Sequence, residues 1–327
     1  MTSEFCFVNK KGAPEAWPRP LAPLADTHGH LTSFHRHTAE VALARAALAG
    51  VRLLAVPVDP TDDVQDAGAF LSWLDERVEL ARAALARLAE AGLEPPAFGG
   101  GTDDGTTDVD APQLLDNVCI LAGAHPYGAA SLDEAALARL TALLDSPRCV
   151  GVGEIGIDVG PYSKLGLDVQ EQAFRTQLRI AHERSLPVEL HLRDGDDDTV
   201  AHDAALRILR EEGVPAAGCD LHCFTSGPDV LDPFLELGCH VAFGGALTFP
   251  RSDDIRAAAL MCPPELLLVE TDCPYMTPVP VRGTECEPAM VSLTAAFLAD
   301  LRAEAGLASE RQTYETLWRN ARRFLGR

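Results

Sequence analysis

The chain has 327 residues, with 27 Lys+Arg against 49 Asp+Glu and a formal charge of −22. That balance excludes a protein that holds nucleic acid mainly by neutralising phosphates, and it excludes an anionic membrane surface as the main partner. With 47% apolar and 23% charged residues the composition is that of a globular chain, long enough for two domains or for one α/β barrel.

Residues 1–23 form an amino-terminal tail without a long apolar run, so no secretory signal is expected, and nowhere do ~20 apolar residues follow one another. Eight short apolar segments come next, at 24–31, 51–59, 117–126, 149–158, 187–194, 218–224, 239–246 and 266–274. Runs such as VRLLAVPV (51–58), NVCILAGA (117–124) and LLLVE (266–270) suit parallel strands covered on both faces. Stretches with helical spacing lie between them, among them AEVALARAALAG (39–50) and QEQAFRTQLRIAHERS (170–185). Eightfold strand–helix alternation predicts an α/β fold, a (β/α)₈ TIM barrel over residues 24–327 as one domain.

Residues 59–118 interrupt this rhythm. They hold a helix candidate at 69–91, stopped by Gly92, and then the Gly/Thr/Asp run FGGGTDDGTTDVDAP (98–112). The stretch carries 14 acidic residues against 3 arginines, a net of −11, which is half of the whole charge. It reads as an acidic insertion after the second strand, with a mobile loop expected to reach the C-terminal mouth of the barrel. The nine cysteines form no C-x-x-C pair, and Cys119, Cys149, Cys219 and Cys239 fall in strand-like runs. Reduced thiols in a cytoplasmic protein are the expectation, with no membrane association and no obligate protein partner.

The chemistry gathers at the ends of the predicted strands. Side chains two apart on a strand share a face, so His28 and His30 of DTHGH can point together into the mouth and grip one metal ion. Glu154, His191, His222 and Asp272 sit toward the C-terminal ends of other strands, where barrel enzymes place catalytic residues. Six N/O donors are too many for one tetrahedral zinc and suit two divalent ions that share a carboxylate. The His35-Arg36-His37 repeat lies in a polar segment and reads as solvated, and His182, His202 and His240 receive no role. Residues 151–156 match G-x-G-x-x-G, but inside a strand and with no helix to follow, so a dinucleotide site is rejected.

Taken in order, DTHGHL (26–31), AGAHP (122–126), GVGEIGID (151–158), LPVELHLRD (186–194), LHCFTSG (221–227) and VETDCPYMTPVPVRG (269–283) resemble the TatD-type metal-dependent deoxyribonucleases of the amidohydrolase-like barrel enzymes. The resemblance implies a first metal on His28 and His30 with Asp272 beside it. It implies a second metal on His191 and His222, with Glu154 as the bridge. Asp272 would accept the proton of the attacking water, and His125 and Arg193 would contact a substrate phosphate. For Arg193 a salt bridge to Asp194 or Asp158 is the structural alternative. The metals could be Zn, Mg, Mn or Ni, since mixed His and carboxylate donors accept them all.

Three features depart from the family pattern. Gly29 stands where the family often has Cys, its position expected to face away from the metals. The loop 280–288 lacks the family's His, Lys and Asn and carries Glu285. The acidic insertion is the third. Three functions follow as expectations: a phosphodiesterase or deoxyribonuclease acting on nucleic-acid ends, a metal-dependent hydrolase of a small ester, amide, lactone or phosphate, or a non-catalytic metal-bound scaffold.

Overall fold

A computed structural model describes residues 7–98, 113–196 and 198–327. A short antiparallel hairpin, β1 (Phe7–Val8) and β2 (Pro14–Glu15), opens the fold. Eight parallel strands then run in chain order around one sheet: β3 (Leu24–Asp26), β4 (Val51–Val58), β5 (Val118–Ala122), β6 (Cys149–Asp158), β7 (Val188–Arg193), β8 (Cys219–Leu221), β9 (His240–Phe243) and β10 (Leu267–Val269). Each predicted apolar segment contains one of them. The outer two strands meet just beyond their ladders. Thr27 N donates to Val269 O, Asp272 N to His28 O, and His30 N to Cys273 O, so the barrel is nearly closed.

Helices α1 (Ala39–Ala49), α2 (Ala67–Glu90), α3 (Glu134–Leu144), α4 (Leu167–Arg184), α5 (Val200–Glu212), α6 (Pro228–Glu236) and α7 (Asp253–Met261) connect the strands, and α8 (Val291–Glu304) and α9 (Glu310–Leu325) follow β10. The Asp66 carboxylate accepts from Ala69 N and starts α2, while Gly92 in the left-handed region ends it, as expected from its place in the sequence. Helix α9 begins in a Ser309/Gln312 capping box and packs Trp318, Ala321, Phe324 and Leu325 against Ala25, Leu53, Leu121 and Leu268. That apolar layer seals the N-terminal end of the barrel and leaves the C-terminal end for polar side chains.

The expectation that the loop of the acidic insertion reaches the mouth falls largely on residues outside those described. Residues 99–112, nearly all of the Gly/Thr/Asp run, lie outside the described residues. On one side of them, Pro96 accepts from Arg52 and Phe98 lies under the Arg52 guanidinium, at the start of β4. On the other side, a turn at Leu114–Asp116 leads straight into β5. Both flanks are at the N-terminal face, opposite the mouth, because a full helix separates β4 from the run. Of the insertion's acids, Asp59, Asp62 and Asp63 line the mouth.

Candidate metal centre

The interior of the barrel is layered above its apolar floor. Glu189 on β7, Asp220 on β8 and Glu270 just past β10 form a middle layer, all fully buried. Two residues further along each chain come His191, His222 and Asp272, on the same inward face by the period of a strand. These three, with His28 and His30 past β3, His125 past β5 and Glu154 on β6, meet at the base of a cleft of about 940 Å³.

Glu154 occupies the middle of this cluster. Its Oε2 lies 3.7 Å from His28 Nε2, while its Oε1 lies 2.6 Å from His191 Nδ1, 3.1 Å from His222 Nε2 and 3.5 Å from His125 Nε2. One carboxylate thus presents its two oxygens to two sets of imidazoles. Gly153 makes room behind it, since a Cβ at that position would stand 2.8 Å from the Cβ of Glu189. Asp272 Oδ1 stands 3.8 Å from His28 Nε2 and 3.9 Å from His30 Nε2. Its backbone sits in the left-handed region at φ 53°, held there by the bonds from Asp272 N to His28 O and from Tyr275 N to Asp272 O.

Three groups of donors, found among the described residues, each lie within 4.8 Å of one another: His28, His30 and Glu154; His125, Glu154 and His191; His28, His222 and Glu270. The donor set fits a divalent ion on three counts. First, His28 Nε2 and His30 Nε2 are 3.2 Å apart and His125 Nε2 and His191 Nδ1 are 3.3 Å apart, close to the edge of a tetrahedron with ~2.0–2.1 Å metal–nitrogen bonds, roughly 3.3–3.4 Å. Second, each of three imidazoles has an acid at its other nitrogen: Glu189 at 2.8 Å from His28, Asp158 at 3.0 Å from His191, Glu270 at 3.5 Å from His222. That pairing leaves the opposite nitrogen to face the cleft. Third, buried carboxylate oxygens behind the cluster have no hydrogen-bond partner, namely Glu189 Oε2 and Glu270 Oε2.

Burial pushes the His28 and His125 imidazoles down, His125 to about 4, so both stay neutral lone-pair donors near pH 7. Burial acts the same way on His191 and His222 but is outweighed, by Asp158 and Glu154 at His191 and by Glu154 and Glu270 at His222, and both rings end above their ordinary range. Glu154 is held well below the usual carboxylate range against its own burial by His222, His125 and His191. Burial pushes Asp272 up.

All six expected metal donors are brought together, and His125, expected at a substrate phosphate, stands within donor reach of Glu154 and His191. Arg193 lines the cleft with its guanidinium 5.5 Å from the Tyr162 ring. Both carboxylates considered for it are engaged elsewhere: Asp194 with His202 Nδ1 and the first turn of α5, Asp158 with His191 and Gly160 N. Gly29 faces away from the cluster, toward Asp26, Cys273 and Leu54. Glu285 accepts from the backbone N–H groups of His35, Arg36 and His37, so its charge fixes the 35–37 segment and does not line the cleft. The sequence expectations give no role to Glu189, Glu270 or Asp26, and place Asp158 only as a partner for Arg193. Asp26 accepts from both Thr271 N and Thr271 Oγ1, tying the end of β3 to the end of β10.

The family model described as TatD related DNase matches residues 25–326. A Bacillus subtilis protein named uncharacterized metal-dependent hydrolase YabD is 32% identical over 230 residues, 70% of this chain and 85% of that protein. An Edwardsiella piscicida protein named 3'-5' ssDNA/RNA exonuclease TatD is 34% identical over 197 residues, 59% of this chain and 73% of that protein. Among solved structures, the TatD homologue YjjV of Escherichia coli K12 superposes with a TM-score of 0.67 at 24% identity, covering 93% of this chain and 98% of that one.

Proposed function

The chain belongs to the family of TatD-related DNases, and from that membership we propose that it is a divalent-metal-dependent phosphodiesterase that removes nucleotides from the ends of single-stranded nucleic acid. The observation that carries the reading is Glu154, one ionised carboxylate with an oxygen turned to each of two imidazole sets. His28, His30 and Asp272 would hold one ion and His191 and His222 the other, with Glu154 presenting an oxygen to each set and His125 close to the second. Ions bound there supply Lewis-acid chemistry, acidifying a water and offsetting charge on phosphoryl oxygens. Glu189, Asp158 and Glu270 fix the ring orientations, so the donors need no rearrangement. Asp272, anchored by its strained backbone at the cleft base, takes the proton of the attacking water. Arg193, exposed at the rim, pairs with a non-bridging oxygen of the substrate phosphate.

The relative named a 3'-5' ssDNA/RNA exonuclease supports nucleic acid as the substrate class. The acidic rim of Asp59, Asp62 and Asp63 supports a short or single-stranded end over duplex. Among the described residues no helix is long and apolar enough to cross a membrane, and all eight of their cysteines are unpaired, which supports a reducing, cytoplasmic setting.

The test is a labelled single-stranded oligonucleotide incubated with protein reconstituted in turn with Mg²⁺, Mn²⁺, Zn²⁺ or Ni²⁺. Stepwise loss of terminal nucleotides is expected, abolished by chelator and by Glu154→Ala or His191→Ala. Turnover of small esters with none of oligonucleotides would move the function to the small-molecule reading. Cleavage indifferent to both substitutions would refute the assigned centre.

A further inference from the structure

The cleft poses a problem of affinity. Among the described residues that line it, Arg193 is the one Lys or Arg side chain, against the three carboxylates of Asp59, Asp62 and Asp63. Phosphate neutralisation, the usual source of affinity for a nucleic-acid strand, is therefore weak here. A nucleotide offers one other large surface, the face of its base.

Three of the chain's four tyrosines stand on this cleft, and the fourth, Tyr314, is buried elsewhere. Tyr127 is 47% exposed, Tyr162 70% and Tyr275 58%, a costly way to use apolar rings if they have nothing to cover them. Their positions relative to the donors differ. Tyr275 stands edge-on to His30, with ring centroids 6.3 Å apart, beside the first donor group. Tyr127 stands edge-on to His125 at 4.5 Å, beside the second. Tyr162 has the Arg193 guanidinium 5.5 Å from its ring centroid on one face and is otherwise open. Aromatic surface therefore flanks Glu154 on both sides.

We propose that Tyr127, Tyr162 and Tyr275 form a base-stacking rim that grips the unpaired nucleobases on either side of the phosphate to be cleaved. The inference rests on the phosphodiesterase reading and adds how the strand is recognised. Stacking tolerates any base, because every base has a π-face, but it requires the base to be out of a duplex. The rim thus makes single-strandedness, not sequence, the property that is selected, and it does so without a basic groove.

The experiment is a cycle between rings and bases on the metal-loaded enzyme. Initial rates are measured on a single-stranded oligonucleotide and on the same strand with abasic residues at its last two positions, for wild type, Tyr162→Ala, Tyr275→Ala and Tyr127→Ala, with Tyr162→Phe and Tyr275→Phe as the conservative variants. Loss of one stack is worth between about 5- and 150-fold in kcat/KM. That loss is expected from each alanine variant on the natural strand, with KM carrying most of it, and phenylalanine is expected to restore it. Ring and base removal are expected to be non-additive, the combined loss being close to the larger single one. Equal losses on natural and abasic strands, or no loss with any alanine variant, would overturn the stacking rim while leaving the hydrolase standing. Absence of oligonucleotide cleavage by the wild-type enzyme would instead overturn the reading on which the rim rests.

Discussion

Replacing Glu189 tests how the centre is built, because that side chain touches one donor and is far from solvent. Its Oε1 lies 2.8 Å from His28 Nδ1, and both groups are fully buried. The carboxylate sets which His28 nitrogen carries the proton and leaves Nε2 to the cleft. Losing such a partner costs about 10–100-fold in metal affinity, or roughly 1.4–2.7 kcal/mol. Glu189→Gln keeps the volume and an acceptor oxygen for His28 Nδ1, so it belongs at the lower end, about 10-fold. Glu189→Leu also leaves His28 Nδ1 without a partner, so it belongs at the upper end, about 100-fold. The assay is competition for Mn²⁺ against a chelator of known affinity, with the unfolding midpoint of the stripped protein as a control for folding. Wild-type metal affinity in Glu189→Leu would show that this carboxyl does not set the His28 donor.

Other substitutions follow from the same structure. Asp194 accepts from Ala201 N at 2.8 Å and from His202 N and sits against His202 Nδ1, which together hold its carboxyl below the usual range against the effect of burial. A depressed folded pKa stabilises above the unfolded value and is lost as pH falls through the folded one, so Asp194→Asn is expected to lose about 1–2 kcal/mol in urea unfolding at pH 7 and much less near pH 3. Glu287, almost fully buried, makes a two-pronged bond with Arg45, both contacts at 2.7 Å. Glu287→Ala should cost about 3–5 kcal/mol by equilibrium unfolding, and a loss under 1 kcal/mol would contradict the pairing. Asp220 is fully buried with neither oxygen bonded, and burial pushes its carboxyl well up. An acid raised in the folded state loses stability as pH climbs past its unfolded pKa, so Asp220→Asn should raise the thermal midpoint of chelator-treated protein at pH 7–8, and a lowered midpoint would count against this.

The eight strands were legible because parallel strands buried on both faces leave continuous apolar runs, and each predicted segment contains its strand. The ends were less so. Segment 24–31 forms a ladder over three residues, Leu24–Asp26, because the chain then turns to bring His28 inward and His30 beside it, and segment 266–274 leaves its ladder after Val269, before Asp272 takes its left-handed backbone. The side chains proposed as metal donors were readable from their types at strand ends. Their supports were readable in principle: Glu189, Asp220 and Glu270 each precede a cleft residue by two, which on a strand means the same face one layer deeper. Which acid meets which imidazole was not, since Glu189 on β7 serves His28 past β3, across the barrel. The expected loop of the acidic insertion, residues 99–112, lies outside the described residues. Of the described part, the strand-to-helix stretch carrying Asp59, Asp62 and Asp63 lines the mouth, while the turn at Leu114–Asp116 leads into the start of β5.

A centre for two ions built on Glu154 is open to calorimetric titration of chelator-stripped protein with Mn²⁺. Two ions per chain are expected for the wild type, and Glu154→Ala should leave one weakly bound ion at most. A single ion in the wild type, or an unchanged stoichiometry and affinity in Glu154→Ala, would contradict it.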